Sequence, residues 1–241
     1  MIQAPTLTLR GSAAIAGVAV FSDLALEARA GEWTALLGAS GVGKSTVLKI
    51  FAGLTEGIAL DATVASSTGA LTGQIALMAQ DDLLMPWLSV LDNVLIGARL
   101  RGERADRARA KERLAQVGLS DKAALRPRAL SGGQRQRAAL ARTLMEDRAV
   151  VLLDEPFSAL DALTRLHMQD LSARLLAGRT VLLVTHDPGE AARLAHRILI
   201  MTPTGLQSVA PPPGPIPRPV DATEVLSAQA SLLSQLRSPS P

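Results

Sequence analysis

Two short stretches place reactive side chains where an anion and a metal ion would meet. The octet GASGVGKS (38–45) fits G-x-x-x-x-G-K-[ST] at Gly38, Gly43, Lys44 and Ser45. Glycines let such a backbone curl tightly with no Cβ in the way, so successive N–H groups turn inward onto phosphate oxygens. The candidate cradle is Gly38, Ala39, Ser40, Gly41, Val42, Gly43, Lys44, Ser45 and Thr46. Lys44 is expected to reach the β- and γ-phosphates, and the Ser45 hydroxyl to ligate Mg2+. The plainer alternative is a glycine-rich turn with a surface lysine. AVVLLDEP (149–156) supplies the carboxylate that a metal-nucleotide site needs. Its apolar residues set Asp154 at the carboxyl end of a buried strand, the edge at which ligands sit in open α/β sheets. Asp154 is the candidate for the Mg2+ shell, and Glu155 for orienting or deprotonating an attacking water. Alone, LLDEP would read as a strand ending in an acidic turn; beside a phosphate loop it reads as a metal carboxylate.

These residues need a sheet to hold them. WTALL (33–37), QIALMA (74–79), VVLL (150–153), TVLLV (180–184) and RILIM (197–201) read as buried strands, and helical patterns alternate with most of them. That order predicts an α/β domain with a mostly parallel central sheet. KSTVLKIFAGL (44–54) predicts an amphipathic helix whose N-terminus adds partial positive charge to the phosphate loop. Residues 4–30 alternate apolar and polar, as an N-terminal antiparallel β subdomain would. From about 84 to 147 arginine, alanine and leucine dominate, which predicts an inserted α-helical lobe. Within it RLRGERADRARAKERLAQVGL (99–119) reads as charged helix, most of its arginines on a solvated face. APPPGPIPRP (210–219) cannot continue a helix or a central strand. Residues 1–205 are therefore expected to form one domain, and 206–241 a proline-rich linker or spacer with a short C-terminal helix near 221–236. The final RSPSP is expected to fray.

Composition narrows the field. With 241 residues, 48% of them hydrophobic and 20% charged, the chain supports one substantial core rather than a disordered ensemble. The absence of cysteine excludes disulfides, zinc–thiolate sites and thiol catalysis. A net charge of +3 fits nucleic acid, membrane surface or nucleotide alike, and so decides little. MIQAPTLTLR lacks the basic and apolar regions of a secretory signal. AAIAGVAVF falls short of the roughly 20 residues that span a bilayer.

LSGGQRQRAALARTLM (130–145) is the most specific stretch. Ser131 and Gln134 fit a helix-capping box. Two glycines at a helix start cost stability, which makes sense if a phosphate must approach the backbone. Here the sequence resembles the nucleotide-binding subunit of ATP-binding-cassette (ABC) transporters, over residues 5–205 and with the motifs in order. The resemblance is carried by GASGVGKS, Gln80 in MAQDD, LSGGQ, LLDEP, SALD (158–161) and His186 in VTHD. It implies a P-loop NTPase core of ABC type, ATP and Mg2+ as ligands, and ATP hydrolysis coupled to transport. It also implies roles. Gln80 would sense the γ-phosphate and the Mg2+. Ser131, Gly132, Gly133 and Gln134 would bind ATP held by an opposite subunit, with Asp161 aligning the two halves. His186 would contact the γ-phosphate. Each chain then holds each half-site once, and two copies clamp two ATP molecules between them.

The chain departs from the family pattern at one place. It has no tyrosine to stack on adenine; Ile15 in SAAIAG lies nearest the expected position, and Phe21 falls too late in the strand. Adenine would then rest on aliphatic side chains. The segment MPWLSVLDNV (85–94) resembles the importer branch for nitrate, sulfonates, taurine and related solutes, and the fuller phrase resembles ATPases assigned to a thiamine pyrimidine precursor such as hydroxymethylpyrimidine. Of Leu83, Leu84, Met85 and Trp87, some are expected to pack and others to stay exposed for a partner. The resemblance implies a transmembrane permease, indirectly a periplasmic solute-binding protein, no nucleic acid, and a peripheral place on the cytoplasmic face of the inner membrane. An exporter ATPase and a non-transport ABC ATPase are the alternatives. A chromosome or repair ATPase would need long coiled coils where only about 80 residues separate the loop from LSGGQ.

Overall fold

The computed structural model describes residues 3–237. The chain order is β1 (Leu7–Ile15), β2 (Val18–Ala28), β3 (Trp33–Gly38), α1 (Lys44–Phe51), β4 (Ile58–Ser66), β5 (Ile75–Met78), α2 (Val90–Val94), α3 (Ile96–Leu100), α4 (Arg107–Gln116), α5 (Gly132–Met145), β6 (Val150–Asp154), α6 (Ala162–Leu175), β7 (Thr180–Val184), α7 (Pro188–Leu194), β8 (Arg197–Thr202), β9 (Gly205–Val209) and α8 (Thr223–Arg237). Two sheets form. One is antiparallel, in the order β2-β1-β4. The other has the order β5-β6-β7-β3-β8-β9, parallel except for β9.

The five apolar runs become β3, β5, β6, β7 and β8. In β3, β6 and β7 every residue is buried, because helices and the second sheet cover both faces. Alternation divides their side chains. Val150, Leu152, Leu182 and Val184 pack with α1 and the antiparallel sheet; Val151, Leu153, Val181 and Leu183 pack with the helices of the 84–147 stretch. The sheet is thus pinned from both sides, and its strand ends are fixed points for the loops beyond them.

Three features differ from the sequence expectation. The 99–119 stretch is not one helix: α3 ends at Leu100, Gly102 turns the chain at φ 70°, and Asp106 caps α4 through the Arg109 N–H at 2.9 Å. Helix α1 stops at Phe51, before a turn at Gly53 with φ 74°. The stretch after 205 does not run as a free spacer. β9 pairs with β8, and Arg218, buried, donates to the carbonyls of Ala192 and Ala195 at 2.9 Å each. Helix α8 packs on α7 and buries Val225 and Leu232 beside Ala35, Leu37 and Ala191. Of RSPSP, residues 238–241 lie outside the described residues. Among the described residues no helix is long and apolar enough to cross a membrane.

Candidate functional site

Strands β5, β6, β7 and β3 lie side by side and parallel, so their carboxyl ends share one edge. Gln80 follows β5, Asp154 ends β6 with Glu155 just beyond it, His186 follows β7, and the 38–45 loop begins at the last residue of β3. Four candidates far apart in sequence are thereby set along one row.

The phosphate loop needs glycine for steric reasons. At Gly38 a Cβ would lie 2.6 Å from the Met201 carbonyl oxygen, and at Gly43 (φ 106°) 2.5 Å from Val20 Cγ1. Gly43 is also the N-cap of α1 and offers no side-chain acceptor, so the first N–H groups of the helix stay open to an anion. Lys44 is buried, and its Nζ donates to the carbonyls of Gly38 (2.8 Å) and Ala39 (2.7 Å). Burial lowers its pKa, and the nearby Glu155 and Asp154 carboxylates work against that shift. The lysine is curled onto its own loop through neutral acceptors, and phosphate oxygens would be stronger ones.

Asp154 is 7% exposed, and its Oδ1 has no hydrogen-bond partner among the described residues. Burial raises its pKa; the nearby Ser45 hydroxyl lowers it; Glu155 raises it again. A buried carboxylate oxygen without a partner, beside a hydroxyl, is a donor set that suits a hard divalent cation. The residues present therefore fit Mg2+.

Glu155 is the hub. It sits at φ 48°, a strained setting for a side chain of this size, and its N–H donates to the Val184 carbonyl at 2.9 Å. Gln80 Nε2 lies 3.5 Å from Glu155 Oε2, and His186 Nδ1 lies 3.2 Å from the same oxygen. His186 is otherwise exposed, and Gln80 too. Lys44, Ser45, Asp154, Glu155, Gln80 and His186 thus form one group.

Ser131, Gln134 and Asp161 do not join that group. Ser131 accepts the Gln134 N–H at 3.2 Å and Gln134 Oε1 accepts the Ser131 N–H at 2.9 Å, a complete capping box at the start of α5. Gly132 is exposed, and Gly133 sits so close to the Ala159 carbonyl that a Cβ would come within 3.0 Å. Asp161 caps α6 by accepting the Thr164 N–H at 3.0 Å, a bond that lowers its pKa. Ile15 and Val18 are exposed at the tip of the β1–β2 hairpin, while Phe21 is buried in β2.

Several linking residues escaped the sequence reading. Gln136, buried in α5, donates to the Glu155 carbonyl (3.0 Å) and to Ser158 Oγ (3.2 Å), and accepts the Ala159 N–H (2.9 Å). It ties the LSGGQ helix to the turn after β6. Arg135 pairs with Asp82 at 2.8 Å, and Arg142 donates to the carbonyls of Leu83 (2.7 Å) and Asp82 (2.8 Å). These hold the segment after Gln80 against α5. Leu84 is buried there, Met85 partly buried, and Leu83 and Trp87 are exposed. The available signal was a polar residue on the buried face of an otherwise alanine- and leucine-rich helix.

The family model described as "ABC transporter" matches residues 21–158. An uncharacterized ABC transporter ATP-binding protein of Haemophilus influenzae is 42% identical over 93% of this chain and 95% of its own length. The aliphatic sulfonates import ATP-binding protein SsuB of Delftia acidovorans is 48% identical over 77% of this chain and 74% of its own. A solved dimeric cassette in a post-hydrolysis state, bound to ADP and Pi, superposes with a TM-score of 0.72 at 30% identity, covering 85% of this chain and 98% of that one.

Proposed function

This chain belongs to the ABC transporter family as an ATP-hydrolysing cassette, and from that premise we propose that it is the motor subunit of an importer, working in pairs on a separate permease. The observation that carries the hydrolytic reading is the convergence of Gln80 and His186 on one oxygen of Glu155, whose carboxylate and that of Asp154 both act on the buried Lys44. Residues 1–205 are assigned to the ATPase unit with the 84–147 stretch as its lobe, and 206–241 to a proline-rich linker and short C-terminal helix, whose described part through residue 237 packs on that unit.

In this reading Lys44 leaves the carbonyls of Gly38 and Ala39 for the β- and γ-phosphates, and residues 38–46 wrap the phosphates through their N–H groups. Ser45, Asp154 and Gln80 would hold Mg2+, which neutralises charge developing on the phosphates. Glu155 accepts the proton of the attacking water, and His186 and Gln80 fix that carboxylate's direction. Ser131, Gly132, Gly133 and Gln134 of a second copy cover the γ-phosphate from the other side, with Asp161 at the joint. The dimeric cassette among the structural relatives supports the pairing. Ile15 and Val18, both exposed apolar side chains, supply the adenine contact.

The exposed Leu83 and Trp87, on a segment held by Arg135 and Arg142, form the surface assigned to the permease. The SsuB name among the relatives supports import and favours small sulfonates as the solute class over nitrate or a thiamine pyrimidine precursor. The setting is peripheral, on the cytoplasmic face of the inner membrane, with a periplasmic binding protein delivering solute.

Glu155→Gln is the test. The purified variant is expected to bind ATP as the wild type does and to lose turnover by at least about 100-fold, the scale of removing a general base. Wild-type-like hydrolysis by that variant would overturn the assignment of Glu155.

A further inference from the structure

The turn that carries His186 is braced from behind by groups that the proposed reaction does not touch. Thr185, buried at the end of β7, donates its hydroxyl to Glu190 Oε2 at 2.6 Å and accepts the Asp187 N–H at 3.0 Å. One hydroxyl therefore binds the residue before His186 to the residue after it, and ties both to α7. Asp187 in turn caps α7, accepting the Gly189 N–H at 2.7 Å, and its second oxygen lies 3.4 Å from Arg165 Nη1 on α6. Thr185 and Glu190 line a small cavity shared with Glu155, Ser158 and His186. The far end of α7 is held as well, by Arg218 on the Ala192 and Ala195 carbonyls.

Glu190 is an expensive way to hold a turn. It is 4% exposed, and burial pushes its carboxyl up to about 7, with Asp187 adding to the rise and the Thr185 bond opposing it. A buried carboxyl is costly to ionise unless it is paired, and Glu190 makes its bond to Thr185 rather than to an arginine. The plain structural role, an acid in the first turn of α7 facing the helix dipole, would be served as well from the surface. The position makes sense if the turn must be held in one conformation.

We propose that Glu190 is a positioning residue for hydrolysis: by accepting the Thr185 hydroxyl it fixes the turn that holds His186 against Glu155. The proposal rests on the reading of Glu155 and His186 given above. Loss of the brace frees the turn without touching the phosphate loop, so it lowers kcat and leaves ATP affinity alone.

The full-length protein tests this with five variants, each measured for steady-state hydrolysis and for equilibrium ATP binding. Thr185→Val keeps the side-chain shape but removes the hydroxyl, and Glu190→Ala removes the acceptor. Each is expected to lower kcat about 10-fold with ATP affinity within about twofold. Glu190→Gln retains an acceptor and Thr185→Ser a donor, so both are expected to stay within about threefold of wild type. The Thr185→Val/Glu190→Ala double variant should be no slower than its slower parent, because the Thr185–Glu190 bond is already gone in either parent. An unchanged kcat in Thr185→Val or Glu190→Ala overturns the proposal. So does Glu190→Gln as slow as Glu190→Ala, or losses that multiply. Should Glu190→Ala fail to fold, Glu190→Leu, which fills the same space without an acceptor, takes its place. Glu155→Gln, run alongside, separates two failures. If it abolishes turnover while the brace variants run at the wild-type rate, only the brace is lost. If it turns over normally, the site reading falls first.

Discussion

The phosphate loop and the LSGGQ start of α5 are both glycine-rich helix beginnings, and the chain treats them in opposite ways. At the phosphate loop the N-cap is Gly43, without a side-chain acceptor, and the site carries a buried lysine curled onto carbonyls and a buried carboxylate oxygen without a partner. At α5, Ser131 and Gln134 satisfy each other in a capping box. The first region is unsatisfied until a charged ligand arrives. The second is complete in the lone chain. In the pairing proposed above, a half-site that waits for nucleotide carried by another copy would have to hold its shape while empty, and the capping box would let it do so.

Lys44→Ala breaks the comparison hardest. Two charge-assisted bonds to phosphate, each about 1.5–3 kcal/mol, would be lost. ATP affinity should fall about 1000-fold, or about 4 kcal/mol, by equilibrium titration. Because burial already penalises the Lys44 charge, the unfolding free energy of the nucleotide-free protein should stay level or rise. Retained affinity would place the phosphates elsewhere.

A buried acid near the same edge adds a pH signature. The Glu190 carboxyl is raised from 4.5 to about 7, so the folded state binds its proton more tightly than the unfolded state does. Stability is then greatest at low pH and falls as pH rises from about 4.5 towards 7, by on the order of 3 kcal/mol for this group. Denaturant titrations at several pH values should show that slope in the wild type and a flatter one in Glu190→Gln. An unchanged slope would mean that the carboxyl is ionised throughout.

Gly133→Val sharpens the contrast from the other side. A Cβ there meets the Ala159 carbonyl at 3.0 Å, and such overpacking costs about 1–3 kcal/mol. The change should slow paired turnover while single-copy ATP affinity, set at the phosphate loop, stays the same. A matching drop in affinity would show that the two regions are not separable in the lone chain.

What could be read in advance follows from the same physics. β3, β6 and β7 are buried on both faces, so their apolar runs needed no alternation to be visible. The loop and the carboxylate pair could be read because their chemistry is local. β4 is hidden in the sequence: its residues IALDATVAS lie at the edge of the small sheet, none of them fully buried, and its apolar residues make no long unbroken run. The break at Gly102 hid inside a run of arginines whose charges carry no periodic signal. The roles of Gln136, Thr185, Glu190 and Arg218 depend on partners supplied by other elements. No local pattern encodes a hydrogen bond from α5 to the turn after β6, or from residue 218 back to α7.

The smallest change asks the sharpest question. Ser131→Ala removes the cap but leaves both glycines. A cap of this kind is worth about 1 kcal/mol, which in a chain of this size shifts the melting temperature by roughly 2–4 °C. Single-copy ATP affinity should not move, because among the described residues Ser131 bonds only within its own helix start. Turnover should fall by more than the stability loss accounts for if the hydroxyl also meets the γ-phosphate across the pair. Ser131→Asp keeps a capping oxygen but puts a negative charge where that phosphate would come. It should therefore hold the melting temperature and still lose turnover. Stability and activity falling together in Ser131→Ala, with both kept in Ser131→Asp, would reduce LSGGQ to a helix cap.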